Sequence, residues 1–190
     1  MSVRSFETDW SVRSGKTPPF GYILRDRFYG RWTRFHALPK SKRYADSLTE
    51  RECILRRAER IGNALFGQER MLWLATCEFK SPNEAERETQ VPGFPQPIPF
   101  QHSLKDFKDE DGPSDWQVHA LETSWNFGAF KTLFGELAEG RASAVWFDPA
   151  TGRVLAPYDG GFDLILESRF RAAYLSERFR TWMSERKDRL

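Results

Sequence analysis

Three short apolar runs near the C-terminal end most restrict the fold of this 190-residue chain. They read "SAVWF", "RVLAPY" and "FDLIL", and only "DPATG" and "DGG" separate them. Each run is rich in residues that favour strands. Parallel neighbours need a crossover of roughly a dozen residues or more, so connections this short predict an antiparallel meander.

Helical patterns complete the predicted fold class. Ser47 and Glu50 form a capping box before "LTERECILRRAERIGNALFG", in which the apolar residues recur at helical spacing and Gly67 ends the pattern. A second helix begins after Asn126 and a third at Ser168. The third is expected to bury Phe170, Tyr174, Phe179, Trp182 and Met183. The chain is therefore predicted to be α+β, a mostly antiparallel sheet with about three helices packed mainly on one face.

The whole chain, residues 1–190, is predicted to form one domain. Residues 1–18 indicate an N-terminal arm or short helix. "FGYILRDRF" and "RWTRFHAL" flank Tyr29-Gly30 and predict a hairpin whose second strand has one wet side, whereas "RMLWLATCEF" indicates a buried strand. Residues 80–115, rich in proline and then in acid, predict a long loop packed down by Phe94, Ile98 and Phe100. "WQVHALETSW" then resumes as a strand.

The segment "LAPYDGGFDLIL" sets Asp159 and Asp163 around a Gly-Gly pair. Asp-Gly favours tight hairpin turns whose central residues take positive φ, and we interpret the segment as such a turn. A calcium loop would need more oxygen ligands than Asp159, Asp163 and Glu167 supply. Asp163 is expected to have Arg or amide partners if it is buried, and an enzyme with an Asp159/Asp163 site stays an open alternative.

The sequence contains no phosphate-binding glycine loop and no metal-ligand spacing around His36, His102 or His119. We expect no cofactor, no metal and no catalytic residue, and His36 is expected at the surface. Cys53 and Cys77 lie in apolar patterns and are expected as reduced, buried thiols. The start of the chain lacks the pattern of a secretion signal, and no apolar run is long enough to span a bilayer. These observations predict a cytoplasmic protein.

A basic and aromatic stretch, "RDRFYGRWTRFHALPKSKRY", is the main candidate for a binding surface. Arginine and aromatic side chains dominate protein hot spots, and they also form single-stranded nucleic-acid surfaces. A solvated hairpin tip is the third interpretation. The candidate contacts are Arg31, Arg34, His36, Lys42, Arg43 and Tyr44, or else the acidic loop at Asp109, Glu110 and Asp111.

Charge is divided unevenly along the chain. The first sixty residues hold fourteen Lys and Arg against seven Asp and Glu, whereas the remainder holds fifteen against twenty. Such segregation is typical of surfaces that steer a charged partner. It does not identify that partner.

Two motifs carry a resemblance. "R-x-H-x-L-P-x-S-K-R-Y" at 34–44 and "PYDGG-x-D" at 157–163, with "MLWLATCEF" and "RFRTWMSERK", resemble a group of uncharacterised bacterial proteins. Those proteins are similar to cytoplasmic immunity proteins. The resemblance implies a protein that neutralises a cognate toxin by occluding its active site, and it implies no catalytic residues. An RNA- or DNA-binding module using residues 25–44 is the alternative, and the sequence leaves monomer or homodimer undecided.

Overall fold

The computed structural model of the chain describes residues 5–79, 87–109 and 112–185. Within these ranges it contains seven strands, five α-helices and three short 3-10 helices. The strands are β1 Trp32–His36, β2 Met71–Phe79, β3 Phe100–Asp109, β4 Gly112–Ser124, β5 Val145–Asp148, β6 Arg153–Tyr158 and β7 Gly161–Ile165. The α-helices are α1 Phe6–Ser14, α2 Gly21–Arg27, α3 Leu48–Phe66, α4 Phe127–Ala138 and α5 Arg169–Arg178, and the 3-10 helices are Tyr29–Arg31, Pro39–Ser41 and Arg180–Trp182.

All seven strands form one antiparallel sheet in the order β1-β7-β6-β5-β2-β4-β3. The predicted meander is confirmed as β5, β6 and β7. β2 joins it on one side, and β1 joins on the other through a pairing with β7. That last pairing brings residues from the first fifth of the chain beside residues from the last.

The helices cover both faces of the sheet, not mainly one face as predicted, and they number five within the described ranges instead of about three. α3, α4 and α5 pack on one face with Leu74 and Trp146. α1 and α2 pack on the other face with Trp73 and Phe147. Adjacent strand residues point to opposite sides, so two separate cores form.

Several predicted elements are confirmed. Ser47 caps α3, its Oγ accepting a hydrogen bond from the Glu50 N–H at 3.2 Å, and Gly67 ends the helix. The Glu50 carboxylate accepts from the Asp46 N–H, not from Ser47, so the capping box is only half formed. Asn126 caps α4 in the same manner, at 3.1 Å to the Gly128 N–H. Of the arm or short helix predicted for residues 1–18, the structure contains the short helix, α1.

The predicted hairpin over residues 20–38 is wrong. Residues Gly21–Arg27 form α2, a turn of 3-10 helix follows, and only Trp32–His36 is a strand. Ile23 and Leu24 are adjacent and both buried, which suits a helix packed flat on a sheet. β1 has no wet side either, because Trp32 packs into one core and Phe35 into the other. Tertiary packing outweighs strand propensity here.

The predicted loop over residues 80–115 is wrong for its second half. Residues 100–109 and 112–124 form the long hairpin of β3 and β4. β3 lies at the edge of the sheet, where a strand can carry charged side chains, so its polar sequence did not indicate a strand. Of the residues before it, Phe94 and Ile98 are buried as predicted, whereas residues 80–86 lie outside the described part of the chain.

The predicted inward face of the C-terminal helix is also wrong in part. α5 ends at Arg178, and Ala172 and Leu175 are its buried residues. Phe179, directly after the helix, is buried as predicted. Phe170 and Tyr174 are instead 73% and 52% exposed. The helix carries hydrophobic residues on two faces. The face with the smaller side chains, Ala172 and Leu175, packs against β1, and the face with Phe170 and Tyr174 does not.

Candidate binding site

The two sequence motifs meet at the pairing of β1 with β7. Arg34 lies opposite Asp163 in the strand register, and the guanidinium and carboxylate form two hydrogen bonds of 2.7 Å. Trp32 Nε1 donates to the same carboxylate at 2.8 Å. Arg34 also lies over the ring of Tyr158, 4.4 Å from its centre. We name this cluster of Trp32, Arg34, Tyr158 and Asp163, together with the turn after Tyr158, the motif junction.

The ion pair of the motif junction is buried, with both side chains nearly inaccessible. Burial acts to lower the pKa of Arg34, but the hydrogen bonds and charge of Asp163 outweigh it and the pKa is raised. A buried carboxylate needs such partners. The expectation that a buried Asp163 has Arg partners is therefore confirmed.

Asp159 forms the second half of the motif junction. Its Oδ2 accepts hydrogen bonds of 2.7 Å from Arg43 Nε and from the Tyr44 hydroxyl. Burial acts to raise the pKa of Asp159, but the hydrogen bonds of Arg43 and Tyr44 lower it overall. The "KRY" segment therefore contacts the "YDG" segment directly, through hydrogen bonds from Arg43 and Tyr44 to Asp159.

The turn at 159–160 is confirmed, but its predicted geometry is wrong. Neither Asp159 nor Gly160 takes a positive φ. Gly161 is required for a different reason: a Cβ there would overlap the Phe35 carbonyl oxygen and lie 3.1 Å from His36 Cα. The glycine lets β7 approach β1 closely enough for the Arg34 and Asp163 side chains to meet.

The other predicted basic contacts also have partners within the chain. Arg31 donates to the Leu166 carbonyl at 3.1 Å and lies 4.4 Å from the centre of the Phe28 ring. Lys42 Nζ contacts the Glu50 carboxylate at 2.6 Å and Asp46 at 2.8 Å. The predicted patch is therefore a set of intramolecular pairs. Its role in partner binding stays a prediction.

His36 is not at the surface as predicted, since only 7% of the residue is exposed. Its pKa is lowered by burial and then by the charges of Arg34 and Arg57, while a hydrogen bond with the backbone of Gly160 acts in the opposite direction. These influences favour the neutral ring. Nε2 is buried without a hydrogen-bond partner among the described residues.

The predicted acidic contacts lie only partly in the described ranges. Glu110 and Asp111 lie outside the described residues. Asp109 is the last residue of β3, paired with Gly112 across the ladder. The described residues on either side of Glu110 and Asp111 therefore lie in strands and not in a long loop.

Sequence reasoning missed the exposed side of α5. Phe170, Ala173, Tyr174 and Glu177 are all exposed and recur at the spacing of one helical face. Arg169 lies 5.0 Å from the centre of the Phe170 ring, and Arg171 lies 4.8 Å from that of Tyr174. We name these six residues the α5 face. Hydrophobic residues lie on two faces of the helix "RFRAAYLSER". Only one of these faces can pack on the sheet, so the pattern indicated that the other faces solvent.

A cleft of about 620 Å³ adjoins the α5 face. It lies between the 3-10 helix at Tyr29 and α5, and Arg169, Ala173 and Arg180 line its helical side. Tyr29 is largely exposed and stacks on Trp32, with ring centres 5.7 Å apart. The exposed aromatic surface thus continues from α5 towards the motif junction.

Metal ligation has no geometric support in the described ranges, where no group of three or more His, Cys, Asp or Glu side chains could hold an ion. Cys53 and Cys77 are free thiols, and Cys77 is buried as predicted while Cys53 is half-buried. No helix in the same ranges is long and apolar enough to span a membrane.

The protein is α+β, with helices on both faces of one antiparallel sheet. The two sequence motifs contact each other at the edge of that sheet, where β1 pairs with β7. Residues 20–187 match the model of the DUF3885 family, a domain of unknown function, and the chain belongs to that family. The matched segment contains the whole motif junction and α5. No curated protein and no solved structure matches the chain significantly. The family model supplies no activity, so the resemblance to immunity proteins stays a prediction.

Proposed function

We propose that this chain is a binding protein of the immunity type, which holds an acidic surface of a partner protein against the α5 face. By covering the partner's active site, the bound chain neutralises it. This proposal keeps the class of function that the motifs suggested and moves the contact from the basic stretch 25–44 to α5.

The exposure of Phe170 and Tyr174 is the observation that carries the proposal. Large aromatic rings are normally buried in a monomer, and contiguous exposed ones mark interaction surfaces. Each ring already lies beside an arginine guanidinium. Aromatic and arginine side chains contribute most of the affinity at protein interfaces.

The charge of this surface favours an acidic partner. The segment 169–180 contains four arginines and one acidic residue, Glu177, and Glu177 lies 3.7 Å from Arg180. A surface of one sign speeds association with a surface of the opposite sign. An exposed interface of this kind can be altered without disturbing the core beneath it.

The test first requires a secreted protein encoded next to this gene as the candidate partner. That protein is purified and titrated with the full chain by calorimetry. Phe170→Ala/Tyr174→Ala is expected to weaken binding about 30-fold or more, because hot-spot truncations cost roughly 2 kcal/mol and above. Unfolding in urea should change by about 0.5 kcal/mol or less. The matched control is Val12→Ala/Tyr22→Ala, two exposed side chains on the opposite helical layer, which should leave binding unchanged.

Growth of cells that produce the partner gives the functional readout. The wild-type chain should restore growth, and the α5 double variant should not. Undiminished binding by that variant would remove the α5 face from the proposal. Failure of the wild-type chain both to bind and to restore growth would remove the immunity function itself.

Nucleic-acid binding is tested in the same preparation. A shift of single-stranded RNA on a gel at about 50 mM salt, lost as salt rises, would support the alternative instead, because phosphate contacts release counterions. The pairing of Arg34, Lys42 and Arg43 with carboxylates leaves these cations less available to phosphates.

A further inference from the structure

Arg57 on α3 is a buried cation without a carboxylate partner among the described residues. Only 8% of the residue is exposed. One of its guanidinium nitrogens, Nη1, donates to the His36 carbonyl at 2.7 Å, and the group lies 5.0 Å from the centre of the Trp182 ring. The Cys53 side chain lies beside the guanidinium. None of these contacts brings a formal negative charge.

The contrast with Arg34 shows why this matters. Arg34 is similarly inaccessible, and Asp163 neutralises it through two hydrogen bonds. Burial lowers the pKa of Arg57, with Cys53 acting in the opposite direction. A guanidinium is never deprotonated at neutral pH, so burying it without a counter-ion is costly. An anion bound beside Arg57 would supply that charge.

Two clefts meet at Trp182 and provide room for such an anion. One, of about 510 Å³, is lined by Cys53, Arg56, Arg57, Glu59, Arg60 and Trp182. The other, of about 620 Å³, is lined in part by Arg60, Asn63, Arg178 and Thr181. Both volumes fall in the range of small-molecule sites.

The cations around these clefts are largely unpaired. Arg56, Arg60 and Arg178 are exposed. None of the three forms an ion pair within the part of the chain that the structure describes, where Glu59 is the one acidic side chain lining the first cleft. The local charge is strongly positive, with a buried cation at the base of the cleft and exposed cations at its rim.

We propose that the Arg57 cleft binds the oxyanion group of a small ligand, a phosphate or a carboxylate. Arg57 holds the anion at the base of the cleft, Arg60 closes over it, and the half-buried Trp182 forms the wall. Planar guanidinium groups suit such anions because they present paired donors. The cleft is larger than an isolated anion, so the ligand carries further atoms that occupy the Asn63 and Thr181 side.

The experiment titrates the full chain with inorganic phosphate, succinate and AMP separately, by calorimetry and by thermal unfolding in about 150 mM NaCl. Saturable binding of at least one probe, with a rise in Tm that grows with its concentration, is expected. Phosphate and AMP binding without succinate binding identifies a phosphate ligand, and the reverse identifies a carboxylate ligand. No saturable binding of any of the three would overturn the proposal.

Variants locate the site. Arg60→Ala removes an exposed side chain and should fold normally, yet it should weaken the binding tenfold or more. Arg57→Lys keeps the charge without the planar fork and should weaken it further. Lys16→Ala, an exposed cation on the opposite face, is the control and should bind as the wild type does. Binding unchanged in Arg60→Ala would contradict the proposal. Phe170→Ala/Tyr174→Ala should still bind the probe, which separates this site from the α5 face.

Discussion

The motif junction and the α5 face have nearly the same composition, arginines beside aromatic rings, and opposite surroundings. In the motif junction, Arg34 and Arg43 each meet a carboxylate oxygen at 2.7 Å. On the α5 face, Arg169 and Arg171 lie over rings that are themselves exposed. The same residue types therefore hold strands together in one place and remain available to a partner in the other.

The comparison shows that a basic and aromatic segment does not by itself reveal whether its cations are already paired within the chain. Composition indicates that a surface can bind, but only the position of the carboxylates decides whether the cations are already paired. In the motif junction the carboxylates come from more than a hundred residues away along the chain, at Asp159 and Asp163. Altering the motif junction should therefore cost stability, whereas altering the α5 face should cost binding.

The largest expected effect is that of Asp163→Asn. The amide can still accept from Trp32, but Arg34 then keeps a buried charge without a counter-ion. Removing one partner of a buried pair costs roughly 3–5 kcal/mol, and we expect about 3 kcal/mol here because Arg34 retains slight access to water. The free energy of unfolding in urea measures it.

The double variant Arg34→Met/Asp163→Asn sharpens the test, because it removes the unpaired charge. It should be more stable than Asp163→Asn alone, which a double-mutant cycle reports directly. An Asp163→Asn protein of full stability would contradict the structural role of this carboxylate. Loss of an enzymatic turnover with stability intact would support the Asp159/Asp163 enzyme alternative instead.

Gly161→Ala should have the next largest effect. The added methyl group would overlap the Phe35 carbonyl and force β1 away from β7. Overpacking of this kind typically costs about 1–3 kcal/mol. Gly30→Ala is the matched control, since its Cβ would meet nothing within 4 Å and its φ is not positive. Equal stability of the two variants by urea unfolding would show that β1 and β7 can separate without cost.

Much of the fold could be predicted where its signals are local. Ser47 and Asn126 marked helix starts correctly, and the spacing of β5, β6 and β7 fixed their direction. α2 could not be predicted, because Ile23 and Leu24 suit strand or helix equally and only the sheet face decides. β3 was missed since an edge strand can be as polar as a loop.

The candidate site was less predictable for a physical reason. The partners of Arg34, Arg43 and Tyr44 depend on β1 lying beside β7, and no local pattern states which strands pair. The α5 face is exposed because the other face of the helix packs on β1. The small Ala172 fits there, whereas the larger Phe170 faces solvent. Both are properties of the assembled sheet and not of any segment.

The smallest effect, Asp159→Asn, tests the exposed end of the motif junction. Arg43 is 64% exposed, so water screens the pair and the loss at pH 7 should be smaller than either preceding loss. The pKa of Asp159 is lowered in the folded protein, so the stabilisation is present above the ordinary value of 3.8 and is lost as pH falls through the folded pKa. The stability difference between wild type and Asp159→Asn, measured in urea, should therefore shrink below pH 3.8, and Arg43→Gln should show the same trend. A difference that stays constant down to the acid limit of folding would mean that the Tyr44 hydroxyl bond stabilises the turn and that the Arg43 charge does not.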